Sequence, residues 1–162
     1  MGATDWRTPP EFFAELHREF SFTLDAAASH ENALLPRYCT PEGFFGDCQP
    51  RPGLDGLAME WEGERVWINP PYSPGSVLYR FVEKASKHAR GGGLAVMLLN
   101  ATTTDTRWFH AFIWNRWRHR PRENVELRFL KGRIAFHGVL GTPIPSPRYP
   151  NMVVVFHPEA AP

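Results

Sequence analysis

Val66-Trp67-Ile68-Asn69-Pro70-Pro71-Tyr72 is the stretch that decides the fold of this chain. Its three apolar residues predict a buried strand, and the Asn-Pro-Pro that follows predicts a turn at the carboxyl end of that strand. The prolines have a fixed φ and no backbone N–H, so the turn is stiff. The Asn69 side-chain oxygen and the Pro70 carbonyl can accept hydrogen bonds from an amino group, and the Tyr72 ring offers a stacking surface. The segment predicts a rigid loop for a planar amine, although a proline-rich turn without a ligand explains the same four residues.

A first flanking segment, Trp6-Arg7-Thr8-Pro9-Pro10-Glu11, predicts the start of a helix. Thr8 can cap this helix, Pro9 suits its first position, and Glu11 completes a capping box. The helix is expected from about Pro9 to Phe20, with Phe12, Phe13, Leu16 and Phe20 on one apolar face. A cap explains Thr8 and Pro9 without any ligand.

Two further segments place acids beside small residues. Phe22 to Ala28 predicts a short buried strand that ends in Asp25, and the carboxyl end of a strand is where ligands bind in open α/β sheets. Asp25 could therefore bind an ammonium group, although a helix cap or a turn acid is the alternative. Asp55-Gly56-Leu57 could accept from a ring amine and pack against the ring, but Asp-Gly is also a common turn.

In this order the segments resemble the phage-type DNA N-6-adenine methyltransferase (Dam-like) family, and the resemblance covers most of the chain. The matched residues are Trp6-x-Thr8-Pro9, Leu24-Asp25-x-x-Ala28, Asn32-Ala33, Tyr38, Asp55-Gly56-Leu57, Trp61, Val66-Trp67-x-Asn69-Pro70-Pro71-Tyr72-Ser73, Met97-Leu98-Leu99, Thr104-Asp105-Thr106-x-Trp108-Phe109, Lys131-Gly132-Arg133 and Phe136.

The resemblance implies an S-adenosyl-L-methionine-dependent enzyme that methylates adenine in duplex DNA after the base is flipped out. The implied fold is α/β and Rossmann-like: a single compact domain, 1–162, whose mainly parallel sheet has helices on both faces. No separate target-recognition domain is visible. The family roles carried over here place Trp6, Thr8 and Pro9 at the methionine end of the cofactor, Asp25 at its amino group with Ala26 beside it, Asp55, Gly56 and Leu57 at its adenine, and Asn69, Pro70, Pro71 and Tyr72 at the target base.

The sequence departs from the wider pattern at three places. Ala26, Ala27 and Ala28 replace the glycine-rich turn that many methyltransferases have after the first strand. The stretch Pro41 to Leu54 looks like an insertion and hides the acid expected at the cofactor ribose, for which Glu42 and Asp47 are the candidates. Asn100 stands where proline is expected.

Two other functions stay open. The loop from Asn69 to Tyr72 also suits a methyltransferase of another planar amine, such as a glutamine amide or an RNA base. The glycine-poor turn after Asp25 suggests a DNA-binding relative that has lost turnover. Cofactor binding and substrate tests separate these functions from DNA adenine methylation.

DNA contacts are predicted from local patterns, because a formal net charge of +1 excludes a uniformly basic surface. Residues Trp114 to Arg122 interleave four arginines with two tryptophans. They predict phosphate contacts, although a solvated helix end with its tryptophans packed inward is the alternative. Lys131 and Arg133 are a second candidate for phosphate contact. The four predicted arginines of the first group are Arg116, Arg118, Arg120 and Arg122.

The remaining elements are read from periodicity. Helices are expected over Ser76 to Ala89 and from Thr104 through Phe112, with strands at Leu94–Leu99, Val125–Leu130, Arg133–His137 and Met152–Phe156. Two cysteines without a C-x-x-C pair, no signal peptide and no membrane-spanning run indicate a cytoplasmic protein, in the host cytoplasm if a phage encodes it. No metal and no obligate protein partner are expected. Sequence specificity is expected from loops, namely Pro41 to Leu54, Trp114 to Arg122 and Gly138 to Pro150.

Overall fold

The computed structural model of the chain describes residues 7–47, 49–138 and 149–160. Trp6 and most of the predicted loop from Gly138 to Pro150 lie outside these ranges. Within them the chain forms two α-helices, ten strands and one π-helical turn. The elements are α1 (Pro10–Phe20), β1 (Leu24–Asp25), β2 (Tyr38–Thr40), β3 (Gly43–Phe45), β4 (Arg51–Pro52), β5 (Arg65–Ile68), α2 (Gly75–Arg90), β6 (Leu94–Asn100), the π-helical turn (Phe109–Ile113), β7 (Trp114–Asn115), β8 (Arg120–Pro121), β9 (Val125–Phe129) and β10 (Asn151–Phe156).

Eight of the described strands form one sheet in the order β4-β3-β2-β1-β5-β6-β10-β9. The four central strands, β2, β1, β5 and β6, pair in parallel. Both flanks are antiparallel, with β3 and β4 on one side and β10 and β9 on the other. Because parallel strands end at the same edge of a sheet, the loops after β1, β2, β5 and β6 meet at one carboxyl edge.

The two helices cover opposite faces of this sheet, as predicted. On one face, α1 packs Phe13 and Leu16 with Trp67 of β5. On the other face, α2 packs Phe81 and Val82 with Ile68 of the same strand. Successive side chains of a strand point to opposite faces, so the apolar run of β5 serves both layers. The architecture is a mixed α/β sheet covered on both sides.

The predicted capping box at the start of α1 was wrong. Pro9 is the N-cap residue, and no side-chain hydrogen bond caps the helix. Thr8 is 4% exposed, and its hydroxyl instead accepts a hydrogen bond from the side-chain amide of Asn69, which lies 61 residues further along the chain. A tertiary contact has therefore replaced the local cap that the pattern favoured.

Four other segments differ from the sequence-based expectation. The helix expected to run through Phe112 is the π-helical turn of five residues. Residues 133–137, all described, form no strand, and only His137 pairs, in an isolated bridge with Arg7. Residues 114–121 form the β7–β8 hairpin rather than a helix end. The apparent insertion from Pro41 to Leu54 contributes β3 and β4, which extend the sheet.

Candidate active site

A cleft of about 700 Å³ opens at the carboxyl edge of the sheet, within the range of about 300–1,000 Å³ that is usual for small-molecule sites. The sheet order divides it into two ends. The β1 end is built by the loops after β1 and β2 together with residues 55–57, and the β5 end is built by the segments after β5 and β6. The main residues of the β1 end are Ala26, Ala27, Ala28, Ser29, Glu31, Thr40, Asp55, Gly56 and Leu57, and those of the β5 end are Asn69, Pro70, Pro71, Tyr72 and Asn100. Phe136, after β9, and Tyr149, before β10, also line the cleft.

The floor of the β1 end is formed by two loops whose main chains touch. A Cβ atom placed on Gly56 would overlap the carbonyl oxygen of Ala26 and would lie 3.1 Å from the Phe81 ring. Glycine at position 56 is therefore required by close approach, and the alanine loop after β1 passes directly over it. The structure thus brings together Ala26 and the Asp55–Leu57 segment, two of the predicted cofactor segments.

The Asp55–Leu57 turn is held from two sides. Asp55 accepts backbone N–H groups of Leu57 at 3.0 Å and Ala58 at 2.8 Å, which fixes the turn. From α2, the Lys84 ammonium donates to the carbonyl of Leu57 at 2.8 Å and to the carbonyl of Met59. The positions of Asp55 and Leu57 at the cleft are consequently fixed by main-chain hydrogen bonds as well as by packing.

Asp25 supports the β1 loop from behind and does not line the cleft. It is 3% exposed, and its carboxylate accepts the backbone N–H of Leu34 at 3.1 Å. Burial raises the pKa of Asp25 to about 6, while the backbone hydrogen bonds from Leu34 and Ala27 act in the opposite direction. Two other acidic residues, Glu31 and Asp55, do line the cleft. The hydrogen bond from its own backbone N–H is the main cause that lowers the pKa of Glu31.

The two ribose candidates are placed differently. Thr40 and Pro41, at the end of β2, line the cleft, and the Thr40 hydroxyl donates to Glu42 at 2.7 Å. Asp47 instead forms ion pairs with Arg37 at 3.1 Å and with Arg51 at 3.3 Å. Of the two acids, Glu42 is therefore the one attached to the cleft wall.

At the β5 end, the Asn69 amide is oriented by Thr8. Its Nδ2 donates to the Thr8 hydroxyl at 3.2 Å. The side-chain oxygen is the acceptor of the Asn69 amide, and Asn69 lines the cleft. Thr8 and Pro9 do not themselves line the cleft.

Tyr72 ties the loop to the neighbouring strand. Its hydroxyl accepts the backbone N–H of Asn100 at 2.6 Å and donates to the carbonyl of Leu98 at 3.4 Å. These are main-chain groups at the end of β6, so the tyrosine continues the β5–β6 hydrogen bonding beyond the last residue of β5. Burial raises the pKa of Tyr72, which keeps the hydroxyl protonated.

Sequence reasoning gave no site role to several residues of the cleft. Glu31 follows the alanine loop closely, which was an available signal. Asn100 was noticed as a departure from proline, and Phe136 as part of the family match. Tyr149 lies within the loop from Gly138 to Pro150 that was expected to contribute to specificity, but no residue-level signal singled it out.

The predicted DNA-contacting arginines of the hairpin stand apart from the cleft, and none of the four lines it. Arg118 and Arg120 share Glu123, each at 3.3 Å, and the Arg116 guanidinium lies 4.6 Å from the centre of the Trp117 ring. Arg122 lies three residues before the start of β9, whose first residues are aligned through β10 with the amino end of β6. Arg122 therefore lies towards the edge opposite the cleft.

Lys131 and Arg133 lie on the cleft side. They follow β9, where Phe129 pairs with Met152, and Met152 pairs with Leu99 near the carboxyl end of β6. Both cations are exposed, and Phe136 of the same segment lines the cleft. Of the two predicted sets of DNA-contacting residues, this one is on the side of the sheet that carries the cleft, although neither cation lines it.

Among the residues that the structure describes, no cluster of three or more His, Cys, Asp or Glu side chains could hold a metal ion. Neither α1 nor α2, nor any other helix that the structure describes, has the length and apolar character to cross a membrane.

Comparisons with known proteins cover nearly the whole chain. A family model described as DNA N-6-adenine-methyltransferase (Dam) matches residues 3–160. The DNA N-6-adenine-methyltransferase of Haemophilus phage HP1 is 30% identical over 159 residues, which is 96% of this chain and 79% of that protein. The protein of the same name from Escherichia phage T1 is 35% identical over 107 residues, 64% of this chain and 38% of its own. No solved structure matches the chain.

Proposed function

The chain belongs to the DNA N-6-adenine-methyltransferase (Dam) family, and on that premise we propose that it methylates the exocyclic amine of a flipped adenine in duplex DNA. The methyl donor is S-adenosyl-L-methionine. The observation that carries the proposal is the Asn69–Tyr72 loop, which is held rigid at the same cleft as the Ala26 and Gly56 loops. Central parallel strands with a helix on each face are compatible with a Rossmann-like methyltransferase fold.

The β1 end has the chemistry to hold the cofactor. Main-chain groups of the alanine loop are available to a ligand, and the absence of a side chain at Gly56 lets this loop pack directly against the Asp55–Leu57 segment. Glu31 offers a carboxylate for the ammonium group, with Asp25 holding the loop that carries it. Asp55 and Leu57 suit the adenine ring, and Glu42 beside Thr40 suits the ribose hydroxyls. When bound, the cofactor supplies the methyl group that the amine nitrogen attacks.

The β5 end has the chemistry to activate the target amine. The Asn69 oxygen and the Pro70 carbonyl accept hydrogen bonds from the adenine amine, which draws its lone pair out of conjugation. Such acceptors are most effective where positive charge develops, so they favour the transition state over the ground state. The Tyr72 ring stacks on the base, a contact of about 1–3 kcal/mol that offsets part of the cost of extrusion.

DNA is held at the rim of the cleft by Lys131 and Arg133. Each phosphate contact makes binding fall as salt rises, so a Lys131→Ala/Arg133→Ala variant should bind duplex DNA with a shallower salt dependence. Arg116 and Arg118, on the remote hairpin, give the comparison variant. If the remote pair alone changes the salt slope, the DNA path runs over the hairpin instead.

The function is tested by transfer of labelled methyl from S-adenosyl-L-methionine to unmethylated duplex DNA, with RNA and protein substrates alongside. Asn69→Ala should keep cofactor affinity and lose most turnover, whereas Asn124→Ala, remote from the cleft, should behave as the parent. Label in adenine of DNA, absent in Asn69→Ala, is the expected result. Label in RNA or protein alone would favour the other planar amines, and cofactor binding without any transfer would favour a silent DNA-binding relative.

The cellular setting follows from the substrate. We expect the protein to act in the cytoplasm, where unpackaged DNA is accessible. A short or loosely defined recognition site is expected because specificity rests on loops. Each base that is read needs its own hydrogen-bonding side chain, which discriminates against the wrong base by about 1–3 kcal/mol. A strictly defined recognition sequence of more than about four base pairs would therefore contradict this expectation.

A further inference from the structure

Asn100 shares a sheet face with the catalytic Asn69. On β5 and β6, Trp67 and Leu98 both pack on the α1 face, and Asn69 and Asn100 each follow two residues later. Side chains two residues apart in a strand share a face, so both amides lie on the α1 side of the carboxyl edge. The parallel register pairs Ile68 with Met97, which places Asn100 about 6.6 Å further out than the level of Asn69. Both residues line the cleft.

The Asn100 amide is held in one orientation by a buried partner. Asn151 pairs with Asn100 across the antiparallel β6–β10 ladder, and its Nδ2 donates to the Asn100 oxygen at 3.4 Å. Asn151 is only 2% exposed, so this contact comes from the protein side of Asn100. With the Asn100 oxygen engaged there, the amide nitrogen, a two-proton donor, is the group of this cleft-lining side chain that we assign to a ligand.

The main chain of Asn100 is also fixed. Its N–H donates to the Tyr72 hydroxyl at 2.6 Å, and its carbonyl accepts from the Thr103 hydroxyl at 2.7 Å. The residue is therefore coupled to the base-stacking tyrosine through backbone atoms alone. Substitutions of the Asn100 side chain leave these two contacts in place.

We propose that Asn100 is a specificity-determining residue that donates a hydrogen bond from Nδ2 to a ring nitrogen of the target adenine. The inference rests on the proposed function. The adenine amine lies between two ring acceptors, N1 and N7, so an adenine edge presents a donor beside an acceptor. Asn69 accepts from the amine, and Asn100 supplies the donor. Guanine and thymine present a carbonyl oxygen where adenine has its amine, and the two amides reject them.

The test uses variants that change the donor and keep the backbone. Asn100→Asp has the same shape but replaces the amide nitrogen with an acceptor, and Asn100→Ala removes both atoms. The control is Asn124→Ala, whose amide donates to the His157 carbonyl at the opposite edge of the sheet. Cofactor affinity measured by calorimetry and far-ultraviolet circular dichroism report on folding. The substrates are duplexes with adenine, 1-deazaadenine or 7-deazaadenine at the methylated position, once sequencing of methylated DNA has mapped it.

Asn100→Asp and Asn100→Ala should lower kcat/KM on adenine by about 10- to 100-fold, with cofactor affinity unchanged. The loss should disappear on the one analogue that lacks the recognised nitrogen, because the parent has already lost that bond there. An equal loss on all three bases would show a structural role and overturn the inference, as would activity within twofold of the parent on adenine. A parent that transfers no methyl to DNA overturns the proposed function itself, so the two failures are distinct.

Discussion

Thr8→Val tests whether Thr8 acts through Asn69 or on the cofactor. Valine keeps the shape of threonine in a site that is 4% exposed, and it removes the oxygen that accepts the Asn69 Nδ2 hydrogen bond at 3.2 Å. Loss of a buried hydrogen-bond partner costs about 1–2 kcal/mol. Without the Thr8 hydroxyl, this free energy is needed to orient the Asn69 amide for reaction and adds to the activation barrier. We therefore expect kcat to fall about 5- to 30-fold.

The assay separates turnover from binding. Thr8→Val should lower kcat while the KM and the calorimetric Kd for S-adenosyl-L-methionine stay within twofold of the parent. Thr8→Ser, which keeps the hydroxyl, should restore most of the turnover. A weaker cofactor affinity with unchanged kcat would refute the positioning role and return Thr8 to the methionine end of the cofactor, as the family resemblance implies.

Three further substitutions test other contacts. Tyr72→Phe keeps the stacking ring and removes the bond to the Asn100 N–H, so kcat should fall about 5- to 30-fold with little change in duplex affinity, whereas Tyr72→Ala should weaken binding as well. Asp25→Asn tests the effect of burial on Asp25, whose pKa is raised from 3.8 to about 6. The protonated carboxyl stabilises the folded state fully below about pH 4, and this contribution is lost as the pH rises through 6. The free energy of unfolding of the parent, relative to Asp25→Asn, should therefore fall by about 3 kcal/mol from about pH 3 to about pH 8 in urea titrations, and a pH-independent difference would contradict the burial argument. Gly56→Ala should separate the two loops of the β1 end and weaken cofactor binding at least tenfold by calorimetry, and parent-like affinity would show that the loops can move apart freely.

The sequence predicted elements whose signals are local. The strand before Asn69 is an unbroken apolar run, and α2 has a clear helical period, so both were placed within a residue or two. The stiff turn after β5 follows from two adjacent prolines, whatever the rest of the chain does. The family resemblance assigned the Gly56 segment and the alanine loop to the same cofactor. No local sequence pattern indicated that the two loops are in contact.

Several placements that the sequence did not indicate have tertiary causes. The capping box at Thr8 was complete in sequence, but a partner 61 residues away took the hydroxyl. Asp25 ends a strand of two residues, too short for alternation to show which face its carboxylate takes. The position of the arginine hairpin depends on the direction of β9, which is set by its pairing with β10. The partner of Asn100 lies 51 residues along the chain, on a strand whose pairing the sequence did not specify.

The bond between the Tyr72 hydroxyl and the end of β6 has a consequence for the rate of the enzyme. A loop fastened to the sheet in this way is preorganised, so little reorganisation is needed at the moment of reaction. At the level of Asn100, β5 has already ended, but the Tyr72 hydroxyl accepts the Asn100 N–H in place of a β5 carbonyl. The backbone amide hydrogen of Asn100 should therefore exchange with solvent as slowly as one bonded within the sheet. Turnover then follows how often the adenine leaves its duplex, and an adenine opposite a mismatched base, which is extruded at lower cost, becomes the faster substrate.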